Sequence, residues 1–224
     1  MEQRTTTKRW IDQVVGALDE RRADAPRDVV EDFARQLLAR ASADFLERRD
    51  AARTSEEVVS LFRFVRRTPP DEIGARVRSL PGRSDRLVVE TVMPDCAFIV
   101  NTLREYVHGA GFNIIHLLHP VLVRGRDEEG DVVRVEGRDG EGERTSIVYM
   151  VVEGSGPAET GALEREIRYR LAKVRQATDD FEAMLEQCRD VVDGLERVRE
   201  RAPWRAAELE EIGAFLSWLQ DGSF

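Results

Sequence analysis

The chain has 224 residues, 42% of them hydrophobic, which is enough to bury a substantial core in one large domain or two small ones. A formal net charge of −9 and a pI near 5.1 give no sequence-independent attraction to nucleic acid or to an anionic membrane surface. No run approaches the roughly 18 apolar residues of a membrane span, no signal-peptide-like run opens the chain, and Cys96 and Cys188 lack metal-like spacing, so a soluble, cytoplasmic protein with reduced thiols is expected.

Residues 1–80 carry apolar side chains at helical spacing. Val29, Phe33, Leu37, Ala41 and Phe45 step by four, and Val58, Leu61, Phe62 and Val65 form a second stripe. Thr54 with Glu57 has the spacing of a capping box and predicts a helix start there. Thr68, Pro69 and Pro70 stop that helix, since proline removes an amide donor and disfavours helix in the residue before it. A short helix over residues 71–80 is expected next. Residues 81–85 read as a turn-rich linker, and the main domain boundary is placed there.

Beyond it the period changes. Residues 87–92 read as a buried strand, residues 93–96 as a loop, and residues 97–108 as a helix with Ile99, Leu103, Tyr106 and Val107 on its apolar face, ended by Gly109 and Gly111. A long strand is expected over residues 112–123, a turn at 127–130, and a short hairpin partner at 132–135. Residues 145–152 form the clearest strand, with Ser146, Val148 and Met150 on one face and Ile147, Tyr149 and Val151 on the other. From Thr160 a helical seam runs from Leu163 to Leu195, either unbroken or interrupted at residues 178–180, where Thr and Asp can cap a second helix. Pro203 ends it, and residues 206–220 form the last helix. The order strand, helix, strand, strand, helix over residues 87–177 is most of a ferredoxin-like plan, lacking one strand. The fold class is therefore α+β, with three parts: a helical region at 1–80, the sheet domain at 87–177 and a helical extension at 178–224.

Residues 88–130, VVETVMPDCAFIVNTLREYVHGAGFNIIHLLHPVLVRGRDEEG, resemble the first ACT-like segment of the large bacterial NAD-specific glutamate dehydrogenases. The resemblance rests on Asp95 in the loop, on Phe98, Ile99 and Val100 at the helix start, and on Gly111, Ile115, His116, His119, Pro120, Arg126, Asp127 and Gly130. Ala97 stands where that family usually has proline. The final segment AFLSWLQDGSF also resembles the family helix that precedes a Phe-Leu-Gly-Tyr strand. The resemblance implies a non-catalytic regulatory or assembly segment. In the parent protein L-glutamate would be oxidised with NAD to 2-oxoglutarate and ammonia by parts lying beyond Phe224, so this chain itself needs no cofactor. It also implies a homo-oligomer and a small amino-acid effector, held by Asp95, Cys96, Ala97, Phe98 and Asn113. Phe98 stands where most such modules have glycine, and its ring would occupy ligand space.

The residues themselves carry no nucleotide-binding or hydrolase motif. Three positions apart on a strand, His116 and His119 point to opposite faces and do not converge on a metal. His116 is expected to share a face with Phe112, Ile114 and Leu118 and to bond a neighbouring backbone group. Gly111, His116, His119 and Pro120 are read as structural. Cys96 lacks a nearby base and reads as a small side chain. Two other readings stay open: a self-contained amino-acid-sensing dimerisation module, and a helical interaction scaffold.

Overall fold

The computed structural model describes residues 2–19, 23–47, 49–80, 82–154 and 159–220. The chain divides into two compact units, Met1–Val174 and Arg175–Phe224.

Four helices open the first unit: α1 (Glu2–Gly16), α2 (Arg27–Leu38), α3 (Ala43–Glu47) and α4 (Ala51–Arg67). Helix α2 buries Val29, Val30, Phe33, Ala34, Leu37 and Leu38, the stripe that its three-and-four spacing dictates. Helix α4 begins earlier than the expected capping box. The Asp50 side chain accepts from the Arg53 amide at 2.9 Å and is the true cap. Thr54 instead donates its hydroxyl back to the Asp50 carbonyl at 2.8 Å, which frees the Glu57 carboxylate to turn inward.

Residues 74–80 are not helical but form strand β1 (Gly74–Leu80), which pairs antiparallel with β2 (Arg83–Pro94). Ala75 and Val77 alternate with Arg76 and Arg78, a period of two that looks solvent-facing because one side of it is charged. The tight hairpin turn uses Gly82 at φ +73°. Gly74 is required by space, since a Cβ there would lie 2.8 Å from both Thr68 Oγ1 and Val92 Cγ1. The remaining elements are α5 (Ile99–Gly109), β3 (Phe112–Leu118), β4 (Val121–Arg126), β5 (Val132–Gly137), β6 (Arg144–Gly154) and α6 (Thr160–Asp179). The sheet runs β1-β2-β6-β4-β5, with β3 also on β6, and every pairing is antiparallel. Strands β3 and β4 are one expected strand broken at His119 and Pro120. β3 lies beside residues 149–154 of β6 and β4 beside residues 144–146. The position left empty in the ferredoxin-like plan is filled by β1, which precedes the plan in sequence.

Strand β6 alternates as its sequence predicts. Ile147, Tyr149 and Val151 face a core shared with α1–α4, whereas Val148, Met150 and Val152 face a second core shared with α5 and α6. The helices before Gly74 and the sheet thus share one core, and residues 83–85 of the expected linker lie in strand β2. Buried on both faces, β2 and β6 read as near-continuous apolar runs.

The free edge of β1 is closed by side chains of α6. Glu164 Oε1 accepts from the Val77 amide at 2.8 Å, and Arg168 donates to the Ala75 carbonyl at 2.7 Å. Standing one helical turn apart, these two groups occupy bonds that another strand would otherwise take. At the end of α4, Arg124 of β4 donates to the carbonyls of Val65 (2.8 Å) and Thr68 (3.2 Å), and Arg126 to those of Arg66 (3.2 Å) and Thr68 (2.8 Å). Two cations thus meet the negative end of the helix dipole. Burial, and then the neighbouring Arg126, lower the Arg124 pKa to about 10.

The second unit holds α7 (Phe181–Arg201), a 3-10 turn (Pro203–Arg205) and α8 (Ala206–Gln220). The helical seam does break at Asp180, but that side chain makes no capping bond. Helix α8 packs back on α7, a Cβ on Gly213 lying 3.4 Å from Leu195 Cδ1. Met184, Val191, Val198, Trp204, Phe215 and Trp218 are exposed.

Candidate functional site

The loop from β2 to α5 carries four of the expected ligand residues. The Asp95 amide donates to the Arg144 carbonyl at 2.9 Å, which ties the loop to the start of β6. Cys96 is half-buried against the α5–α6 core, and Ala97 is exposed. Phe98 is the residue before α5 and sits at φ +68°, ψ 0°, a left-handed conformation that suits glycine. The residue is 66% exposed. Asn113 is placed elsewhere. It pairs with Glu153 at one end of β6, while the loop adjoins Pro94 opposite Thr145 at the other. Eight residues at ~3.3 Å each separate those positions by roughly 26 Å, so one chain does not bring Asn113 to the loop.

His116 and His119 do not converge. A bulge at Ile115 shifts the register of β3 between Ile114 and His116. The shift turns His116 to the helical side, away from the face of Phe112 and Ile114, contrary to the expected grouping. There its ring packs edge-on against Phe45 at 5.2 Å between centroids, with Nδ1 4.0 Å from Asp44 Oδ2. His119 Nε2 bonds the Ser146 hydroxyl at 2.8 Å. Burial lowers the His119 pKa below its ordinary value, partly offset by the charge of Asp95. Gly111 turns the chain from α5 into β3 at φ +86°, and Pro120 accepts from the Ile147 amide at 3.0 Å. Among the described residues, no group of three or more His, Cys, Asp or Glu is placed to hold a metal ion.

A second constellation was not anticipated. Arg76, Glu90 and Tyr149 stand directly opposite one another on β1, β2 and β6. Glu90 is fully buried and takes Arg76 Nε at 2.6 Å and Arg78 Nη2 at 3.0 Å. The Tyr149 hydroxyl donates to the Glu57 carboxylate, which Arg49 also meets at 2.6 Å. Arg49 caps the Phe45 ring at 4.3 Å. Burial, then the charge of Glu57, push the Tyr149 hydroxyl well above its ordinary pKa. A polar row therefore runs under the helical layer and ties α4 to the sheet. Two signals in the sequence mark it: an acid inside the apolar run of β2, and an acid on the apolar stripe of α4.

At the β1 edge, the polar row opens into a cleft of about 590 Å³ between the end of α1, α4 and β1.

Comparison with known proteins places this architecture. Residues 33–167 match the family described as glutamate dehydrogenase, ACT1 domain. The chain is 28% identical over 221 residues to the NAD-specific glutamate dehydrogenase of Pseudomonas aeruginosa, covering 95% of this chain and 14% of that protein. It is 28% identical over 175 residues to the NAD-specific glutamate dehydrogenase of Halomonas elongata, covering 74% of this chain and 11% of that protein. The chain therefore spans only a small part of the length of these curated relatives. The matched region takes in the second half of α2, α3, α4, α5, the whole sheet and the first turns of α6, so part of the helical layer and the sheet are matched together, and the chain belongs to the glutamate dehydrogenase ACT1 domain family.

Proposed function

We propose that the chain is a non-catalytic regulatory or assembly segment of an NAD-specific glutamate dehydrogenase. The observation that carries this reading is the alignment of 95% of the chain with 14% of a much longer protein of that name. In the parent, L-glutamate is oxidised with NAD to 2-oxoglutarate and ammonia by parts outside this chain, in the cytoplasm. The segment contributes geometry: a sheet clamped between two helical layers, a loop at residues 95–98 and an open edge on β3. That edge has no strand partner among the described residues, which favours pairing with a second copy. A second copy would also supply the Asn113 that the loop of Asp95, Cys96, Ala97 and Phe98 does not meet within one chain. The ligand expected there is a small amino acid.

The test is made on the Pseudomonas aeruginosa relative. Deleting the region aligned with this chain is expected to change its oligomeric state or its response to amino acids. The purified chain alone is expected to give no glutamate-dependent reduction of NAD. A deletion enzyme that assembles and responds as the intact protein does would sink the proposal, as would turnover by the isolated chain. Calorimetric titration of the chain with single amino acids tests the loop, and an absence of heat from all of them argues for assembly alone.

A further inference from the structure

The cleft between α1, α4 and β1 has the chemistry of a receptor for an organic anion. Its volume of about 590 Å³ lies within the ~300–1,000 Å³ of small-molecule sites. Ser60, Arg63, Phe64 and Arg67 follow one another at helical spacing on the face of α4 that lines it. Among the described residues, Arg63 and Arg67 have no acidic partner, although the chain has 43 acidic residues against 34 lysines and arginines. Their neighbour Arg66 behaves differently and takes both Asp24 (3.0 Å) and Asp131 (2.8 Å).

Arg76 enters from β1 and is held in place before any ligand arrives. Its Nε donates to buried Glu90, its Nη2 donates to the Ser60 carbonyl at 3.2 Å, and its guanidinium lies 4.8 Å from the centre of the Phe64 ring. The side chain stays 30% exposed, and Nη1 has no bond among the described residues. A preorganised guanidinium loses little freedom on binding, and the planar fork suits carboxylate or phosphate. The two acids of the lining, Asp19 and Glu56, are engaged in interactions of their own. Glu56 also lies two helical turns from Arg63, about 10 Å along α4. Val59, Phe64, Ala17 and Ala52 give the cleft an apolar part that a bare inorganic ion would not use.

We infer that this cleft binds a small organic molecule with two anionic groups, one met by Arg63 and Arg67 and the other by Arg76. The site shares no residue with the loop of Asp95 to Phe98, so the two can succeed or fail independently.

Isothermal titration of the intact chain with succinate, citrate, pyrophosphate and adenosine diphosphate tests the inference, with acetate as the single-charge control. Binding of the first two alone marks a carboxylate ligand, and binding of the last two alone a phosphate ligand. The double variant R63A/R67A is expected to weaken binding at least tenfold while moving the thermal midpoint by less than about 2 °C, because both side chains are exposed. R104A, an exposed arginine on α5, is expected to leave binding unchanged. No heat from any probe up to about 5 mM overturns the inference. Equal binding by R63A/R67A and the unaltered chain, or equal weakening by R104A, does the same.

Discussion

Replacing Tyr149 with phenylalanine removes the hydroxyl that ties α4 to the central strand, which donates to Glu57 and accepts from Arg49 at 3.3 Å. The ring stays buried and keeps its edge-on contact with Phe45, 6.4 Å between centroids, while Glu57 loses the hydroxyl donor and retains Arg49. A hydrogen bond to a charged group contributes about 1.5–3 kcal/mol, so a loss of about 2 kcal/mol is expected. With a urea slope of about 2 kcal/mol per molar, the midpoint should fall by about 1 M at constant slope. Glu57→Ala is harsher. It takes the counter-charge from the Arg49 guanidinium, whose side chain is only 13% exposed, and is expected to cost about 3–5 kcal/mol. Because the groups share one carboxylate, the double variant should fall short of the sum by ~0.5–3 kcal/mol. Urea unfolding of the full chain, followed by circular dichroism, measures all three. A Tyr149→Phe midpoint indistinguishable from that of the unaltered chain, together with strict additivity, would refute the clamp.

Other consequences are open to measurement. Glu164→Ala with Arg168→Ala uncovers the β1 edge, and light scattering should then show concentration-dependent association beyond that of the unaltered chain; identical scattering would argue against edge closure. Burial depresses the pKa of His119, which faces Asp95, Arg40 and Arg138. As pH falls below about 6.5 the unfolded chain therefore takes the proton first, and stability declines through that window. His119→Gln should flatten the decline in urea midpoints between pH 7 and 5, whereas an unchanged slope would exclude this histidine as its source. Phe98→Gly should stabilise the chain by up to about 1 kcal/mol, because glycine relieves the left-handed backbone and the exposed ring gives up little packing. A lower urea midpoint for that variant would mean that the ring makes contacts worth more than the strain.

Local chemistry alone determined much of this protein. The stripe of α2, the stop at Pro69 and Pro70, the turn at Gly111 and the two faces of β6 follow from side-chain period and backbone freedom within a few neighbouring residues. A loop between the strand and the helix was also legible, though it was read at residues 93–96, whereas β2 runs on to Pro94 and α5 starts only at Ile99. Other features answered to partners far along the chain. Arg76 and Arg78 face inward only because Glu90 of the next strand neutralises them, so the strand nature of β1 could not be read from GARVRSL by itself. Glu57 has the spacing of a cap but the surroundings of a core, and Tyr149, 92 residues away, decides between the two. The bulge at Ile115 reassigns His116 to the other face, since a single extra residue inverts every later side chain in a period of two. Sequence fixes what each segment can do alone; the buried charges were settled only by tertiary structure, because a charge can be buried only where folding brings its counter-charge.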